Sequence, residues 1–468
     1  MHSFDARKSH VVKASFQKLS LTLFKPIPNL RLGLFSLGIG LLSFAPQPGA
    51  TITPPNQRET PPASMWVEMG PDGMAIARAI TPETTCPSLT LDSQLQPMQV
   101  RAAAQPPDYP VLVCELTIPS GTQSAAIAGQ ALPLPKSNPE RILVIGDTGC
   151  RIKIRNNANQ AGESKGEAQA CNDPQAWPFN QIAKTAAAWE PDLVIHLGDY
   201  HYRESPCPAG NSSCAGSPWG YNWGAWNADF FTPAAPLLQA APWVVIRGNH
   251  EDCNRAGAGW FRFLDPRPLP TSCKEYTLPY TVPAGNLRLL VLDTSKANDL
   301  KAPPDQVVAY SLLLAEINFL AGKNAWLLMH HPLWAVGHQG EVAGNEQLFR
   351  TNPTLQAASK NSLSPGIKLV LSGHMHLFEA LSFADKRPPN IVVGNSGTQL
   401  DPPITSSLTG LPIAGTNIAS GKTIHKFGYA TVERAGSGWK MSIHDINGAV
   451  ETICTIQGSS VDSAICTP

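Results

Sequence analysis

The chain has 468 residues, a length that exceeds one ordinary hydrophobic core and predicts two domains with additional segments. Lysine plus arginine and aspartate plus glutamate each number 35, and the resulting zero net charge argues against a general nucleic-acid or anionic-membrane binder. Hydrophobic residues make up 43% of the chain, which excludes wholesale disorder.

Residues 1–50 have the pattern of a signal peptide or an N-terminal anchor. Basic residues outnumber acids over 1–31, and the apolar run LGLFSLGIGLLSFA follows from Leu32 to Ala45. This run is shorter than a membrane span and has the length of a signal-peptide core. We therefore expect an exported protein, periplasmic or secreted, with an uncleaved membrane anchor as the alternative.

Residues 51–63 form a proline-rich linker, and 64–138 are predicted to form a small β-sandwich-like domain. Recurrent proline favours an extended, unpacked chain in the linker. Short runs such as MWVEM, MAIARAI and PVLVCELTI then alternate with Pro, Gly and Asp, as strands alternate with turns.

From residue 139 to 468 the pattern changes to alternating strands and helices. The predicted fold class is therefore α/β (α+β), preceded by a small N-terminal all-β domain. Apolar strands are predicted at 142–145, 193–197, 243–246, 287–292, 325–329, 367–371 and 391–393. Helices are predicted at 178–189 and 306–320, with a proline-interrupted helix at 228–240. The C-terminal region is predicted to form antiparallel strands.

Ten cysteines, an even number, are spaced as sequential neighbours along the chain. Sequence alone does not decide their connectivity, and buried free thiols are the alternative in a reducing compartment. An export signal favours disulfides, because these persist in oxidising compartments. We expect sequential pairing because each loop would be short: Cys86 with Cys114, Cys150 with Cys171, Cys207 with Cys214, Cys253 with Cys273, and Cys454 with Cys466.

Five apolar strands end at residue types that bind metals. Asp147, Asp199, Asn249 and His374 each follow a glycine, and His330 follows its strand directly. Taken singly, most such residues belong to turns or loop caps, or are structural histidines. Five together indicate a site, because the carboxyl ends of strands form the ligand crevice in open α/β sheets.

The ordered motifs GDTG (146–149), GDYHY (198–202), GNHE (248–251), MHHP (329–332) and GHMH (373–376) resemble the signature of the calcineurin-like metallophosphoesterases. The resemblance implies a four-layer β-sandwich flanked by helices. Most members have Asp-x-His in the first motif, whereas this chain has Gly149 in place of the histidine and Tyr202 three residues after Asp199. That combination resembles the purple acid phosphatases, whose tyrosinate binds iron(III). The N-terminal β segment weakly resembles the fibronectin-like sandwich of the larger purple acid phosphatases.

The resemblance implies two metal ions that share one bridging carboxylate, Asp199. One site would hold Asp147, Asp199, Tyr202 and His376, and the other would hold Asp199, Asn249, His330 and His374. Carboxylate and phenolate oxygens suit Fe(III), which we expect at the Tyr202 site. The second site, with its amide and imidazole donors, suits Zn, Mn or Fe(II).

The chemistry implied is hydrolysis of phosphate monoesters by a metal-bound hydroxide. His250 would be the general acid that protonates the leaving oxygen. Asn249, His250 and His338 would contact the substrate, a small phosphorylated molecule. No nucleic acid and no stable membrane partner beyond the optional N-terminal anchor are expected, and the oligomeric state is not readable.

Two alternatives stay open at this point. The motifs do not separate a monoesterase from a phosphodiesterase or a nucleotide phosphohydrolase, since substrate choice depends on the loops around the crevice. The non-enzyme alternative is an exported binding protein with an inactive phosphoesterase domain. Loss of several ligands would favour it, but all seven are present.

A loop at 205–226, rich in glycine, serine and tryptophan, contains four aromatic residues: Trp219, Tyr221, Trp223 and Trp226. They would either wall the substrate cleft or simply pack a loop without regular structure. The bond from Cys150 to Cys171 would brace the first metal loop.

Overall fold

The computed structural model describes residues 61–153, 168–342, 345–456 and 464–467. The predicted signal peptide or anchor and most of the linker lie outside the described residues. Within these ranges, no helix combines the length and the apolarity that crossing a bilayer requires.

The secondary structure is mixed, which confirms the predicted α/β class. The strands are β1 Ser64–Met69, β2 Ala75–Thr81, β3 Ser88–Leu91, β4 Gln94–Pro97, β5 Gln99–Ala102, β6 Leu112–Ile118, β7 Ala125–Ile127, β8 Gln130–Ala131, β9 Arg141–Ile145, β10 Leu193–His196, β11 Trp243–Val245, β12 Tyr280–Ala284, β13 Leu287–Leu292, β14 Ala325–Met329, β15 Ala335–Val342, β16 Asn345–Thr351, β17 Ile367–Ser372, β18 Phe378–Phe383, β19 Asn390–Val393, β20 Pro412–Ile413, β21 Thr416–Ile424, β22 Gly428–Ala435, β23 Gly438–Asp445, β24 Val450–Ile456 and β25 Ala464–Thr467. The α-helices are α1 Phe179–Ala188, α2 Trp223–Trp226, α3 Thr232–Leu238, α4 Gly257–Phe263, α5 Pro304–Leu320 and α6 Pro353–Ser359.

Two large sheets carry the fold. The first has eleven strands in the order β25-β24-β23-β22-β9-β10-β11-β1-β2-β6-β5, and the second has eight in the order β12-β13-β14-β17-β19-β18-β21-β20. The central strands β9, β10 and β11 of the first sheet are parallel. The strands β13, β14, β17 and β19 of the second sheet are also parallel. Parallel strands end at a common edge, so residues that follow them collect there.

The sheets pack face to face with helices outside them, as the four-layer prediction requires. Between the sheets, Val144 and Ile195 of the first lie in one apolar cluster with Trp326 and Leu371 of the second. Helix α1 packs on the outer face of the first sheet, and α5 on that of the second. The central strands are buried on both faces, which explains their uninterrupted apolar sequences.

The N-terminal strands form as predicted, but several of them extend the first sheet. β1 pairs in parallel with β11 at Glu68 and Trp243, and β2, β6 and β5 follow in order. A smaller sheet, β4-β3-β7-β8, contributes to the apolar cluster between the large sheets. β1, β2, β5 and β6 thus belong to the same sheet as strands that follow residue 139, and the domain boundary expected at 138 stays a prediction. Every residue of β2 is buried, because this strand is internal to a large sheet.

All five sequential disulfides are confirmed. The predicted helix at 228–240 appears as a π-helical turn, Asn227–Phe231, followed by α3 with Pro236 inside it. The β15–β16 hairpin and the helices α4 and α6 were not predicted from the sequence.

Candidate metal centre

Five strand ends bring predicted ligands to one place. Asp147, Asp199 and Asn249 follow β9, β10 and β11 of the first sheet, whereas His330 and His374 follow β14 and β17 of the second. Asp147, Asp199 and His374 have φ angles of 57°, 59° and 74°, in the left-handed region that side chains rarely adopt. Such conformations cluster at functional sites, where the surrounding structure holds them.

Two glycines allow the ligand loops to approach one another. A Cβ on Gly248 would lie 2.1 Å from Asp199 Oδ1, and a Cβ on Gly373 would lie 2.5 Å from Asp147 Oδ2. Any other residue would displace these carboxylates. Glycine before Asn249 and His374 is therefore a packing requirement of the site.

The first donor set surrounds the hydroxyl of Tyr202. That oxygen lies 2.7 Å from Asp199 Oδ2, 3.2 Å from Asp147 Oδ1 and 2.9 Å from His376 Nε2. Tyr202 is fully buried. These are the four residues that the sequence assigned to one metal, and a phenol, two carboxylates and an imidazole suit a hard, highly charged ion.

The second donor set surrounds the side-chain oxygen of Asn249. Asn249 Oδ1 lies 2.9 Å from His330 Nε2 and 3.0 Å from His374 Nδ1. His330 Nε2 lies 3.2 Å from Asp199 Oδ2, which also belongs to the first donor set. The structure thus brings all seven predicted ligands together, with Asp199 at the junction.

The ring nitrogens that face away from the donor sets are also hydrogen-bonded. His330 Nδ1 and His376 Nδ1 lie 2.8 Å and 2.9 Å from backbone carbonyl oxygens. His374 Nε2 lies 2.8 Å from Asp299 Oδ2. An acceptor at the outer nitrogen fixes the tautomer, so that the inner nitrogen presents its lone pair to a metal.

Glu251 is a functional residue whose role the sequence analysis missed. Its buried carboxylate accepts hydrogen bonds from the backbone N–H groups of Gly248, Asp199, Tyr200 and His201 at 2.9–3.1 Å. It therefore fixes the loop of the GDYHY motif (198–202) to the loop of the GNHE motif (248–251). Its place in the GNHE motif was the available signal, but four backbone partners are not readable from sequence.

Asp229 connects the loop of the GDTG motif (146–149) to the loop of the GDYHY motif (198–202) in the same way. Its carboxylate accepts from the backbone N–H groups of Cys150, Tyr202 and Arg203 at 3.0, 2.7 and 2.9 Å. The Arg203 Nε–H also donates to it at 2.7 Å. Because it lies in a predicted helix without a motif, no sequence signal pointed to it.

Asp299 is a third carboxylate that the sequence analysis missed, and it lies beside the second donor set. It contacts His374 Nε2 at 2.8 Å and His331 Nε2 at 3.5 Å. The side chains of Thr351 and Asn352 donate to its other oxygen. Candidate ligand atoms of His331, His330 and His374 all lie within 4.8 Å of one another, so His331 borders the centre.

His250 lies against the first donor set. Its ring centroid is 3.7 Å from that of Tyr202, and its Nε2 is 3.9 Å from Asp199 Oδ2. On the other side, Nδ1 contacts an Arg255 Nη atom and lies 3.3 Å from Glu204 Oε1. Nδ1 therefore lies beside one donor, the Arg255 guanidinium, and one acceptor, the Glu204 carboxylate, whereas Nε2 faces the donor sets.

Burial and then the charge of Arg255 lower the pKa of His250 to about 3, against the opposing charges of Asp199 and Glu204. In the protein alone, His250 is therefore neutral near neutral pH. A bound phosphate dianion would shift this pKa upward, because a nearby opposite charge favours the protonated ring.

His338 lies on the β15–β16 hairpin, opposite Leu348. It is therefore not at a strand end of either large sheet, and its contact with substrate stays a prediction.

The electrostatics of the donor sets fit bound cations. Burial raises the pKa of Asp147 well above its ordinary value, and the neighbouring Asp199 carboxylate adds to the rise. Burial and the same two carboxylates raise the pKa of the Tyr202 phenol. The converging atoms are acidic oxygens and imidazole nitrogens, and a cation among them would favour their deprotonated forms.

The family model for the calcineurin-like phosphoesterases matches residues 140–378, slightly more than half of the chain. The chain belongs to this family. This phosphoesterase is therefore a hydrolase of phosphoric esters, and its family uses bound metal. All seven residues of the two donor sets lie within the matched residues. No protein with curated function matches it by sequence.

Two solved structures share the fold of this phosphoesterase. Purple acid phosphatase PPD1 from seeds of yellow lupin (Lupinus luteus) has 15% sequence identity and a TM-score of 0.51, covering 84% of this chain and 74% of its own. PhoD has 12% identity and a TM-score of 0.52, covering 87% of this chain and 92% of its own. At these identities the likeness supports the fold alone.

Proposed function

We propose that this phosphoesterase is a two-metal phosphatase that hydrolyses phosphate monoesters. The observation that carries the proposal is the pair of donor sets that share Asp199 Oδ2. When bound, two metals at such sets activate water and neutralise charge on the phosphoryl group. A phosphodiesterase has the same requirement, so the substrate class rests on the assay below.

The first donor set would hold Fe(III), because Tyr202 brings a buried phenol oxygen within 2.7 Å of Asp199 and 3.2 Å of Asp147. The second donor set would hold Zn, Mn or Fe(II), since it offers an amide oxygen and two imidazoles. Metal analysis with a visible spectrum tests this assignment. A colourless protein with two zinc or manganese ions would refute the iron assignment and retain the phosphatase.

His250 would act on the leaving oxygen, because its Nε2 faces the donor sets. Full proton transfer needs the imidazolium, which the charge of a bound phosphate dianion favours. Asn249 belongs to the second donor set and would also contact the phosphoryl group of the substrate. A pH–rate profile tests the role of His250: His250→Asn should lower kcat by about 10²–10⁴ for a poor leaving group and much less for nitrophenolate.

The activity test compares p-nitrophenyl phosphate with bis(p-nitrophenyl) phosphate, with and without a chelator. We expect the monoester to be hydrolysed faster, and we expect chelation to abolish turnover. Asp147→Asn should also abolish it, whereas Asp385→Asn, at a 42% exposed carboxylate on the surface, should not. Faster cleavage of the bis ester would replace the monoesterase with a diesterase, and chelator-resistant turnover would refute the metal mechanism.

Export is part of the proposal, with the protein placed in the periplasm or secreted. Five disulfides support it, because such bonds persist in oxidising compartments. Cell fractionation with mass spectrometry of the mature N-terminus tests it. An intact N-terminus in the cytoplasmic fraction would contradict export.

A further inference from the structure

The two donor sets differ in the negative charge that they offer a metal ion. The first set has a carboxylate and a phenol of its own, Asp147 and Tyr202, besides the shared Asp199. The second set adds to Asp199 only an amide and two imidazoles, which are neutral when they bind a metal. A divalent ion in the second set would therefore meet one negative charge, and it would share that charge with the first ion.

Asp299 places a further carboxylate directly behind one of the second-set imidazoles. Its Oδ2 lies 2.8 Å from His374 Nε2, while Nδ1 of the same ring lies 3.0 Å from Asn249 Oδ1. An ionised carboxylate only accepts hydrogen bonds, so it keeps the ring proton on Nε2 and leaves the Nδ1 lone pair for a metal. His330 and His376 have backbone carbonyl oxygens at this position instead. A carboxylate makes the stronger, charge-assisted bond and a more basic ligand.

The Asp299 carboxylate is held in one orientation by its second oxygen. Oδ1 accepts a hydrogen bond from Thr351 Oγ1 at 3.1 Å and another from Asn352 Nδ2 at 2.7 Å. The Asn352 amide is itself fixed, because its oxygen accepts the backbone N–H of Leu355 at 2.9 Å and so caps helix α6. With Oδ1 occupied in this way, Oδ2 is the oxygen that is left to face His374.

The contact between Asp299 and His374 is largely removed from water. The two side chains are 25% and 19% exposed. The buried ring of His331 packs against His374 with the centroids 4.1 Å apart, and its Nε2 lies 3.5 Å from Asp299 Oδ2. Water screens a charge less in such surroundings than at the surface, so the charge of Asp299 acts strongly on the ligand in front of it.

We propose that Asp299 is a positioning residue that sets the metal affinity of the second donor set, acting through His374. In this role it need not touch the ion or the substrate: it orients the ring, fixes its proton and supplies negative charge. The inference rests on the proposed function, since it takes the second donor set to hold a divalent ion. Removing the partner of a metal-binding histidine typically weakens metal binding by about 10–100-fold.

The test measures how firmly each ion is retained. The full chain is loaded with Zn²⁺ and equilibrated against graded concentrations of a chelator, and zinc per chain is measured by elemental analysis. Asp299→Asn keeps the size of the side chain, but its NH₂ group must face either His374 or the donors at Oδ1. This variant should hold one of two zinc ions about 10–100-fold more weakly and the other within about twofold of the wild type. Asp305→Asn, which removes an exposed charge from the first turn of α5, is the matched control and should retain both ions normally.

A second variant identifies which ion Asp299 affects. Tyr202→Phe should weaken the ion of the first donor set, so the double variant Tyr202→Phe/Asp299→Asn should hold both ions weakly. If the double variant kept one ion as firmly as the wild type, Asp299 would act on the first set and the inference would be overturned.

The retention curves also separate this inference from the proposed function. Weakening of both ions by Asp299→Asn alone would indicate a general structural role and would overturn the positioning role. Unchanged retention of both ions would overturn it as well and leave the two-metal phosphatase intact. A wild type that retains fewer than two zinc ions would instead refute the two-metal proposal, and this inference with it.

Discussion

Removing the carboxylate of Asp229 should loosen two metal loops at once. The side chain is fully buried and accepts four hydrogen bonds, from the backbone of Cys150, Tyr202 and Arg203 and from the Arg203 side chain. Asp229→Ala would leave these donors without an acceptor. Asp229→Asn would also fail, because an amide NH₂ would face N–H donors at one of the two oxygen positions.

The expected loss in the free energy of unfolding follows from these contacts. A buried donor left without a partner costs about 1–3 kcal/mol, and breaking a buried ion pair by removing one partner costs about 3–5 kcal/mol. Arg203 is only 4% exposed, so water does not readily replace the carboxylate. We expect Asp229→Ala to lower the free energy of unfolding by about 3–5 kcal/mol, and Asp229→Asn by nearly as much.

The assay is urea denaturation followed by tryptophan fluorescence, combined with metal content per chain. Metal content should fall in both variants, because Tyr202 belongs to the first donor set and Cys150 follows Asp147 by three residues. Asp385→Ala is the matched control: its carboxylate pairs with Arg387 at 2.7 Å but is 42% exposed, so its loss should cost less than about 1 kcal/mol.

The decisive result concerns the isosteric variant. If Asp229→Asn unfolded within about 1 kcal/mol of the wild type and kept its full metal content, the hydrogen-bond accounting for this carboxylate would be wrong.

Three further predictions concern single features of the molecule. Tyr202→Phe removes the phenol oxygen and should abolish the visible charge-transfer band of an iron-loaded protein; an unchanged spectrum would contradict its role as ligand. Selective loss of the Cys150–Cys171 bond, by double substitution with serine, should lower metal content, and unchanged content would count against the brace. Burial raises the pKa of Glu379 to about 8, so its contribution to stability is present below about 4.5 and is lost as the pH rises through 8. The free energy of unfolding from urea denaturation should therefore fall between pH 4.5 and 8 by an amount on the order of 5 kcal/mol, a fall that Glu379→Gln lacks. Parallel pH profiles for the two proteins would refute this.

The positions of five of the seven ligands could be predicted because each follows a local pattern at a strand end. A buried strand followed by Gly and Asp, Asn or His is visible within a few residues, and parallel strands bring such ends to one edge. Asp147, Asn249 and His374 were placed in this way, and the structure brings them together.

The roles of the supporting carboxylates could not be predicted because they depend on contacts between distant loops. Asp229 acts on Cys150, far away in sequence, and nothing in its surrounding residues marks it. Asp299 likewise contacts His374 only in the folded chain. In the 205–226 loop, the sequence does not show which aromatic side chains are buried: Trp226 is fully buried, whereas Trp219 is exposed.

The pairing of the N-terminal strands could not be predicted for the same reason. Runs of short strands look alike whether they close into a sandwich or extend a neighbouring sheet, because their local patterning is identical. Only the parallel pairing of Glu68 with Trp243 distinguishes the two arrangements, and pairing between strands so far apart leaves no local signature.

The same pairing bears on how the protein can be shortened for laboratory work. A truncated version that begins at residue 139 would strip β1 from β11 and turn an interior strand into an open edge. Unpaired edges of this kind recruit strands from other molecules, so such a fragment should form insoluble aggregates rather than a smaller working enzyme. Tyr109 would be lost with the same cut, and with it the hydrogen bond that secures Tyr221.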